Sequence, residues 1–581
     1  MKPIALAAAT LTLLGIAIAS PSSAHPRPAT YVNPVSAPAA DTFADPAVVR
    51  GGDGSWYAFG TSDPLKAGET VHRQIPILRS DDLVRWTFAG DAFTAANRPA
   101  WATPTAGLWA PDIRRAGDRY LLYFTVTDTT LNPGDDSAIG VATAPTPLGP
   151  WTDSGGPIVG PRPAPGGGYL WTFDPAHLVD AQGRQWLYYG SYFGGIFTVP
   201  LAGDGLRTAG TPTQVTIDNR YEGAYVVRRS GWYYLFGSAA NCCAGPTTGY
   251  SVFAGRSRGP AGPFVDRDGV SLLTSRVGGT PVIQPNGNRW IGTGHNAVVT
   301  DLAGQDWLVY HAIDREAPYL NEPYGINRRP MLVDRLDWRH GWPTVRNGHW
   351  ASDRPQRAPV TGRHQSGGGE GPPAADPRPG RLAGSASDEF AGTAPGPGWS
   401  WVRQDPDATV EGGALRWPTQ AADLVGGDNT ASVLVRDAPA GDYVVETRLS
   451  IDLGIDTVRN YQQAGLVVYA GDDDFARLSH VAIWNTRQIE FGRELPYAGR
   501  LSYGGMVEGP PAETTWLRLA HTTATSGEHR YRAGYSTDGR HWTWGGTWTF
   551  GAGTTPRIGL ISHGGDTPQA TAVFDYFRVY R

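Results

Sequence analysis

A short run of aromatic and aliphatic residues that closes on glycine, threonine, serine or histidine recurs five times between residues 55 and 312. No other feature limits the possible folds as much. The copies read Ser55-Trp56-Tyr57-Ala58-Phe59-Gly60-Thr61, Arg119-Tyr120-Leu121-Leu122-Tyr123-Phe124-Thr125, Gln185-Trp186-Leu187-Tyr188-Tyr189-Gly190-Ser191, Gly231-Trp232-Tyr233-Tyr234-Leu235-Phe236-Gly237-Ser238 and Asp306-Trp307-Leu308-Val309-Tyr310-His311-Ala312. A repeat of this period is one supersecondary unit used several times. Aromatic strands parted by Gly, Pro and Asp turns predict the blades of a five-bladed β-propeller. A short way before each copy stand Asp45, Asp112, Asp174, Glu222 and His295 in turn. The residue that enters each blade lies near the common axis, so these five titratable side chains are expected to converge, and convergence of that kind predicts chemistry.

The length of 581 residues suits two or three domains. Together, 76 Gly and 48 Pro would suit a disordered chain, but 21 Trp and 25 Tyr mark the glycines as turns between strands. Helical periodicity is absent after the first 20 residues, so the fold class is all-β. A net charge of −5 gives no reason to expect a nucleic-acid or membrane-surface partner. The two cysteines are adjacent, Cys242-Cys243, which excludes a disulfide framework and argues against a zinc site. A vicinal disulfide and a pair of thiols both remain open at this stage. Lys2, an apolar run over residues 4–19, and then Pro21 and Ser22-Ser23-Ala24 read as a secretory signal cut after Ala24. The mature protein is therefore expected to be secreted.

Between residues 354 and 384 aromatic content collapses into Gly367-Gly368-Gly369, Gly371-Pro372-Pro373 and Asp376-Pro377-Arg378-Pro379-Gly380, a linker. The propeller is expected over residues 25–353. Beyond the linker, residues 385–581 carry short alternating strands such as Tyr443-Val444-Val445-Glu446-Thr447-Arg448-Leu449, which suit a two-sheet sandwich. Trp399, Trp401, Trp542 and Trp544 offer it a conceivable binding face.

Several motifs now act in combination: Ala44-Asp45-Pro46, Trp109-Ala110-Pro111-Asp112, Phe173-Asp174-Pro175, Tyr221-Glu222-Gly223-Ala224-Tyr225 and Gly294-His295-Asn296. With Gly190-Ser191-Tyr192-Phe193-Gly194-Gly195-Ile196, they make most of residues 41–345 resemble glycoside hydrolase family 43. These are five-bladed propeller enzymes acting on arabinans and xylans. Cys242-Cys243-Ala244-Gly245 looks most like the arabinan-degrading branch. The resemblance implies that Asp45 is the general base, Glu222 the general acid, and Asp174 the carboxylate that orients the acid and tunes its ionisation. Asp112 is read at the same blade position, yet the resemblance gives it no catalytic part; it is expected to contact substrate or to serve the structure. Phe43, Trp109, Tyr192 and Phe193 are expected near the axial ends, placed to stack on a sugar. In arabinan-active relatives the histidine matching His295 helps hold a metal. The resemblance thus implies a calcium ion in the channel, mostly water-bound, and no organic cofactor.

The chemistry asks for the same set independently. Inverting hydrolysis needs one carboxylic acid to protonate the leaving oxygen and one carboxylate to activate water from the opposite face. The acid must stay protonated above the ordinary Glu value of about 4.3, and burial or a second carboxylate can arrange that. The expected function is hydrolysis of α-L-arabinofuranosyl linkages in arabinan or its oligosaccharides, by a monomer meeting a plant-type or other furanose-containing polysaccharide outside the cell. Ala44 in place of the histidine common in endo-acting arabinanases, and Glu222-Gly223-Ala224 in place of Glu-Ala-Pro, lean toward exo-acting enzymes. A β-xylosidase or galactofuranosidase of the same family is the alternative. A retaining fructan hydrolase would carry Asn-Asp-Pro-Asn and Glu-Cys, which are missing, and a non-catalytic sugar-binding propeller is the rival from another class. Gly255-Arg256-Ser257-Arg258-Gly259 fits the serine-hydrolase elbow, but Pro260-Ala261-Gly262-Pro263 follows where that motif needs a helix. The sandwich resembles the concanavalin-like modules attached to many family 43 enzymes.

Overall fold

The computed structural model describes residues 29–581 apart from 135, 240, 363–364, 366–368 and 370. The signal-peptide reading falls on residues 1–28 and lies outside the described residues. Five four-stranded antiparallel sheets follow one another. Their innermost and second strands are Ala47–Arg50 and Trp56–Phe59, Leu108–Ala116 and Arg119–Val126, Ala176–Val179 and Gln185–Tyr189, Tyr221–Arg229 and Trp232–Ala239, and Trp290–Thr300 and Asp306–Asp314. The recurring aromatic run is the second strand of every blade.

That run is nearly all apolar because the strand is buried on both faces. Side chains alternate along it, so neighbours in sequence face different blades. Tyr57 and Phe59 meet Leu122 and Phe124 between blades one and two, while Trp56 and Ala58 meet Trp307 and Val309 between blades one and five. Likewise Tyr123 meets Tyr189, Tyr188 meets Leu235, and Phe236 meets Tyr310 at the other three seams. Each such side chain contributes about 1.5–3 kcal/mol when fully buried, so the five seams hold the ring closed. The start of the chain adds a clasp: Thr30–Tyr31 pairs with Gln356–Arg357, and Asn33 donates to Asp334 Oδ2 (3.1 Å) and the Val333 carbonyl (3.0 Å) in blade five.

The C-terminal part is a sandwich of two seven-stranded antiparallel sheets. Leu466, Leu478 and Phe491 of one sheet pack on Leu449, Leu517 and Phe574 of the other. Trp399 and Trp401 lie half-buried against this core, Trp542 is half-buried beside Trp544, and Trp544 is buried. The two units dock through their backbones. A Cβ on Gly249 would meet the Gly505 carbonyl oxygen at 2.0 Å, so glycine is required where the chains cross. Arg487 N–H donates to the Ser275 carbonyl (2.7 Å), Thr547 N–H to the Pro285 carbonyl (2.8 Å), and Arg315 pairs with Glu528 (2.7 Å). Cys242 and Cys243 are joined as a vicinal disulfide. No helix among the described residues is long and apolar enough to cross a membrane.

Candidate active site

Every blade has a residue in the left-handed region just where its innermost strand begins or bulges: Asp45 (φ 54°), Ala110 (44°), Asp174 (56°), Gly223 (60°) and His295 (47°), with Gly292 (61°) as a second one in blade five. Such conformations are uncommon outside glycine and mark a constrained backbone. They also define the true fivefold register. In blade two the equivalent residue is Ala110, so Asp112 is two positions along the strand, one pleat deeper. In blade four it is Gly223, and Glu222 stands one position earlier, opposite Ser238. The expectation that all five titratable residues share one blade position is corrected in these two blades. A Cβ at residue 223 would lie 3.2 Å from His295 Nδ1 and 3.4 Å from Ser238 Oγ, so glycine leaves room for the neighbouring acid and histidine.

Asp45 is almost enclosed. Its Oδ2 accepts a hydrogen bond from Thr61 Oγ1 at 2.5 Å. Around Oδ1 stand Arg329 Nη1 (3.4 Å), His311 Nδ1 (3.3 Å) and His295 Nδ1 (3.4 Å). His311 Nδ1 is also 3.2 Å from the Asp45 amide, so its tautomer decides which of the two groups it serves. Burial pushes the Asp45 carboxyl up, but the Arg329 guanidinium and then the two imidazoles outweigh it and hold it well below the usual carboxylate range. The other two carboxyls move the opposite way. Burial, opposed by His295 and reinforced by the charges of Glu222 and Asp45, pushes Asp174 up to about 7. Burial also raises Glu222, although Ser191 donates to its Oε2 (2.8 Å) and Tyr250 to its Oε1 (2.8 Å). Asp174 Oδ2 accepts the Gly223 N–H at 2.9 Å, which ties it to the residue beside Glu222. Three carboxyls in mutual electrostatic reach thus divide into one held ionised and two inclined to keep a proton.

Of the expected aromatics, Trp109 and Phe193 are each 40 % exposed and form one cluster at the axial end. Trp109 meets Phe173 edge-on, Phe173 stacks on Trp171, and Phe193 packs edge-on against Trp171 and Tyr192. Trp171 belongs to no repeated motif and was missed. Phe43 does not join them: it is 1 % exposed and sits in the core between blades one and five. Asp112 is also withdrawn from substrate. At 4 % exposure it accepts Arg114 Nε (3.1 Å) and the His177 amide (2.7 Å), and Arg114 continues to the Tyr225 hydroxyl (3.0 Å), forming a polar floor below the acids. Arg329 and Tyr250 were missed as well. Tyr250 enters just before the third strand of Glu222's own blade, whereas Arg329 is brought to Asp45 only by closure of the ring.

His295 does not head a calcium site built from protein. Its Nδ1 faces Asp45, whose Oδ1 already has the Arg329 cation beside it. Among the described residues no three His, Cys, Asp or Glu side chains are arranged to hold a metal, and imidazole is a poor partner for a hard cation. The calcium expectation is not supported by these donors.

The sandwich reaches the same rim. Asn485 donates to Asp218 Oδ1 (2.6 Å), Asn219 donates to Asn485 Oδ1 (2.8 Å), and Arg220, two residues before Glu222, donates to Gln488 Oε1 (2.7 Å). Trp484 and Tyr461 beside them are 41 % and 48 % exposed and meet edge to face.

Residues 31–343 match the profile described as glycosyl hydrolases family 43, and residues 387–580 that of the β-xylosidase C-terminal concanavalin A-like domain. The chain is 31% identical over 309 residues to the extracellular endo-α-(1→5)-L-arabinanase 1 of Bacillus subtilis, covering 52% of this chain and 86% of that one. It is 31% identical over 329 residues to the extracellular exo-α-(1→5)-L-arabinofuranosidase ArbA of Cellvibrio japonicus, covering 52% and 85%. Among solved structures, the Cellvibrio cellulosa α-L-arabinanase complexed with arabinohexaose is similar over 52% of this chain and 95% of its own, at 30% identity and a TM-score of 0.44. The GH43 BlXynB protein of Bacillus licheniformis is similar over 95% and 99%, at 19% identity and a TM-score of 0.42.

Proposed function

Because the chain belongs to family 43 of the glycosyl hydrolases, and is therefore a glycoside hydrolase, we propose that it cleaves α-L-arabinofuranosyl linkages with inversion, using Asp45, Glu222 and Asp174. The observation that carries the assignment of roles is the opposite displacement of the carboxyls: Asp45 held low, Glu222 and Asp174 raised. Groups pushed apart in this way are what acid–base chemistry at one pH needs. Glu222 gives its proton to the leaving oxygen as the glycosidic C–O bond breaks. Water attacks the anomeric carbon from the other face, and its proton passes to Asp45. The cycle ends with Glu222 ionised and Asp45 protonated, and exchange with solvent resets both. Asp174 acts through Gly223, whose N–H it accepts, holding the backbone beside Glu222 and keeping the acid aimed.

Arabinan as the substrate is supported by the named activities of the relatives, which are arabinanases and arabinofuranosidases. The extracellular names of two of them support secretion. The sandwich bears on chain length. Its contacts at Asp218, Asn219 and Arg220 wall one side of the rim, which favours cleavage from a chain end. One observation favours a second reading, β-xylosidase: the C-terminal profile carries that name.

A panel of aryl furanosides and pyranosides together with linear arabinan, followed by proton NMR of the first-formed sugar, tests both. The proposal expects fastest turnover on α-L-arabinofuranosides and β-arabinose released first. Release of α-arabinose would overturn inversion, and faster turnover of β-xylosides would install the second reading.

A further inference from the structure

At four of the five blade junctions, the residue closing the second strand stands at the same backbone amide. Its side chain lies within hydrogen-bond reach of the backbone N–H of the left-handed residue in the next blade, and at one of these junctions Thr61 also donates to Asp45 Oδ2. Thr61 Oγ1 accepts from Ala110 N (2.9 Å), Thr125 Oγ1 from Asp174 N (3.0 Å) and Ser238 Oγ from His295 N (2.9 Å). His311 Nδ1 stands 3.2 Å from Asp45 N, completing the circle. These amides are held where water is scarce and need an acceptor, and the recurring aromatic run ends on a polar residue in every copy to provide one.

The junction between blades three and four departs from this pattern. Ser191 occupies the same place, fully buried, but its hydroxyl donates to Glu222 Oε2 (2.8 Å). The amide it would otherwise serve, Gly223 N–H, goes to Asp174 Oδ2 (2.9 Å). The two changes compensate each other, since the carboxylate takes over the amide and frees the hydroxyl. They occur together at the one junction where the residue before the left-handed position is an acid. With Tyr250 on Oε1 (2.8 Å), both oxygens of Glu222 carry a fixed partner.

We infer that Ser191 is a positioning residue for Glu222: the altered junction converts a structural hydroxyl into one that fixes the direction in which the acid presents its proton. Each oxygen of Glu222 already accepts one hydrogen bond, so the carried proton must point along the direction that neither hydroxyl occupies. This rests on the reading of Glu222 as the acid. Without Ser191 the carboxyl rotates and the proton arrives misaligned, and misplacement of about 1 Å is enough to cost orders of magnitude in rate. The loss should follow the leaving group. A sugar or alkyl alcohol needs the proton, whereas a dinitrophenolate departs without it.

The test compares Ser191→Ala, Ser191→Thr and Tyr250→Phe with wild type on methyl and 2,4-dinitrophenyl α-L-arabinofuranosides, with Glu222→Gln as the reference. Ser191→Ala is expected to lose at least about tenfold in kcat on the methyl glycoside, a share of the roughly 10²–10⁴ that general acid assistance is worth. On the dinitrophenyl glycoside it should lose less than about threefold by the same reasoning. Ser191→Thr should restore both, because threonine fills the equivalent place at Thr61 and Thr125. Equal losses on the two substrates, or none, would overturn the inference. Tyr250→Phe should show the same leaving-group selectivity, which keeps the test decisive if the alanine variant does not fold. Failure of the underlying reading has a separate signature: Glu222→Gln would itself lose equally on both substrates.

Discussion

Two parts of the molecule gather carboxylates, arginines and histidines to a similar degree, and only one is arranged for proton transfer. At the propeller axis, Asp45, Asp174 and Glu222 face His295, His311 and Arg329. In the sandwich, Arg477 bridges Asp423 (3.2 Å), His563 (3.4 Å) and the Tyr503 hydroxyl (3.0 Å), and Tyr503 donates to Glu490 (3.0 Å). There Asp423 is lowered, with Arg477 and His563 outweighing burial, and burial first, then Arg477, pushes His563 down to about 3. Every lowered or raised group in that cluster therefore keeps one protonation state near neutrality. At the axis three carboxyls share one strong cation, and Asp45 has it. Burial raises all three, and of the three only Asp45 has the Arg329 guanidinium beside it (3.4 Å) to outweigh that rise. Clustering alone does not prepare a site; unequal sharing of charge does.

Exchanging each cluster's carboxylate for its amide is the harshest way to break that contrast. Asp45→Asn should lose about 10²–10⁴ in kcat, the usual contribution of a general base, while its circular dichroism stays that of wild type, since Arg329 keeps Asp63 as a partner (3.2 Å). Asp423→Asn should cost stability through the bereaved Arg477, yet leave kcat within about twofold, as expected for a group outside the reacting centre. Comparable losses of kcat in both variants, measured on arabino-oligosaccharides, would erase the distinction between the clusters.

The ring of blades was legible in the sequence because a strand buried on both faces must be apolar throughout, and that leaves a visible, repeated run. Asp45, Asp174 and Glu222 stood out through the same repeat, and the chain does bring them together. The register between them was not legible. Asp112 is read level with Asp45 because an acid or a histidine precedes each run. The backbone instead puts Ala110 there, and a left-handed alanine leaves no mark in a sequence. Phe43 lies two residues before Asp45, where regular extended backbone would put both side chains on one face. The left-handed turn at Asp45 breaks that alternation, and Phe43 is buried between blades one and five. Arg329 could not be found at all: 284 residues separate it from Asp45, and only closure of blade five on blade one makes them partners.

A gentler measurement sharpens the comparison by titrating the axis itself. Asp45 acts once deprotonated, and it is held well below the usual carboxylate range, so activity should persist into acid solution. The acid acts while protonated, and burial raises Glu222 above the ordinary carboxylate range, so kcat/KM should fall with rising pH later than an unperturbed Glu would impose. Arg329→Gln removes the largest influence lowering Asp45. The acidic limb should then move up by about one unit or more, the scale of shift a close cation imposes, with the alkaline limb less affected. An acidic limb that stays in place would show that the histidines alone keep Asp45 ionised.

The smallest expected effect comes from a carboxyl raised like those at the axis but without an opening. Glu508 lies at the seam of the two units, fully buried, where its Oε2 accepts Gly546 N–H (3.0 Å) and Gln284 Nε2 (3.3 Å). Burial pushes it up to about 7, against those two hydrogen bonds. No substrate reaches it, so its displacement must appear in stability instead of turnover. The folded state holds the proton more tightly than the unfolded chain. Its contribution is therefore full below the unfolded value near 4.5, declines as pH rises toward about 7, and is flat beyond. At about 1.4 kcal/mol per unit, the decline amounts to roughly 3 kcal/mol at most. Glu508→Gln, which keeps the shape and cannot ionise, should remove that part of the slope. Urea unfolding at pH 5 and pH 8 should show wild type losing more stability than the variant across the interval, with kcat unchanged in both. Parallel losses would mean that Glu508 is ionised in the folded protein, and that burial without unequal charge sharing does not raise a carboxyl here.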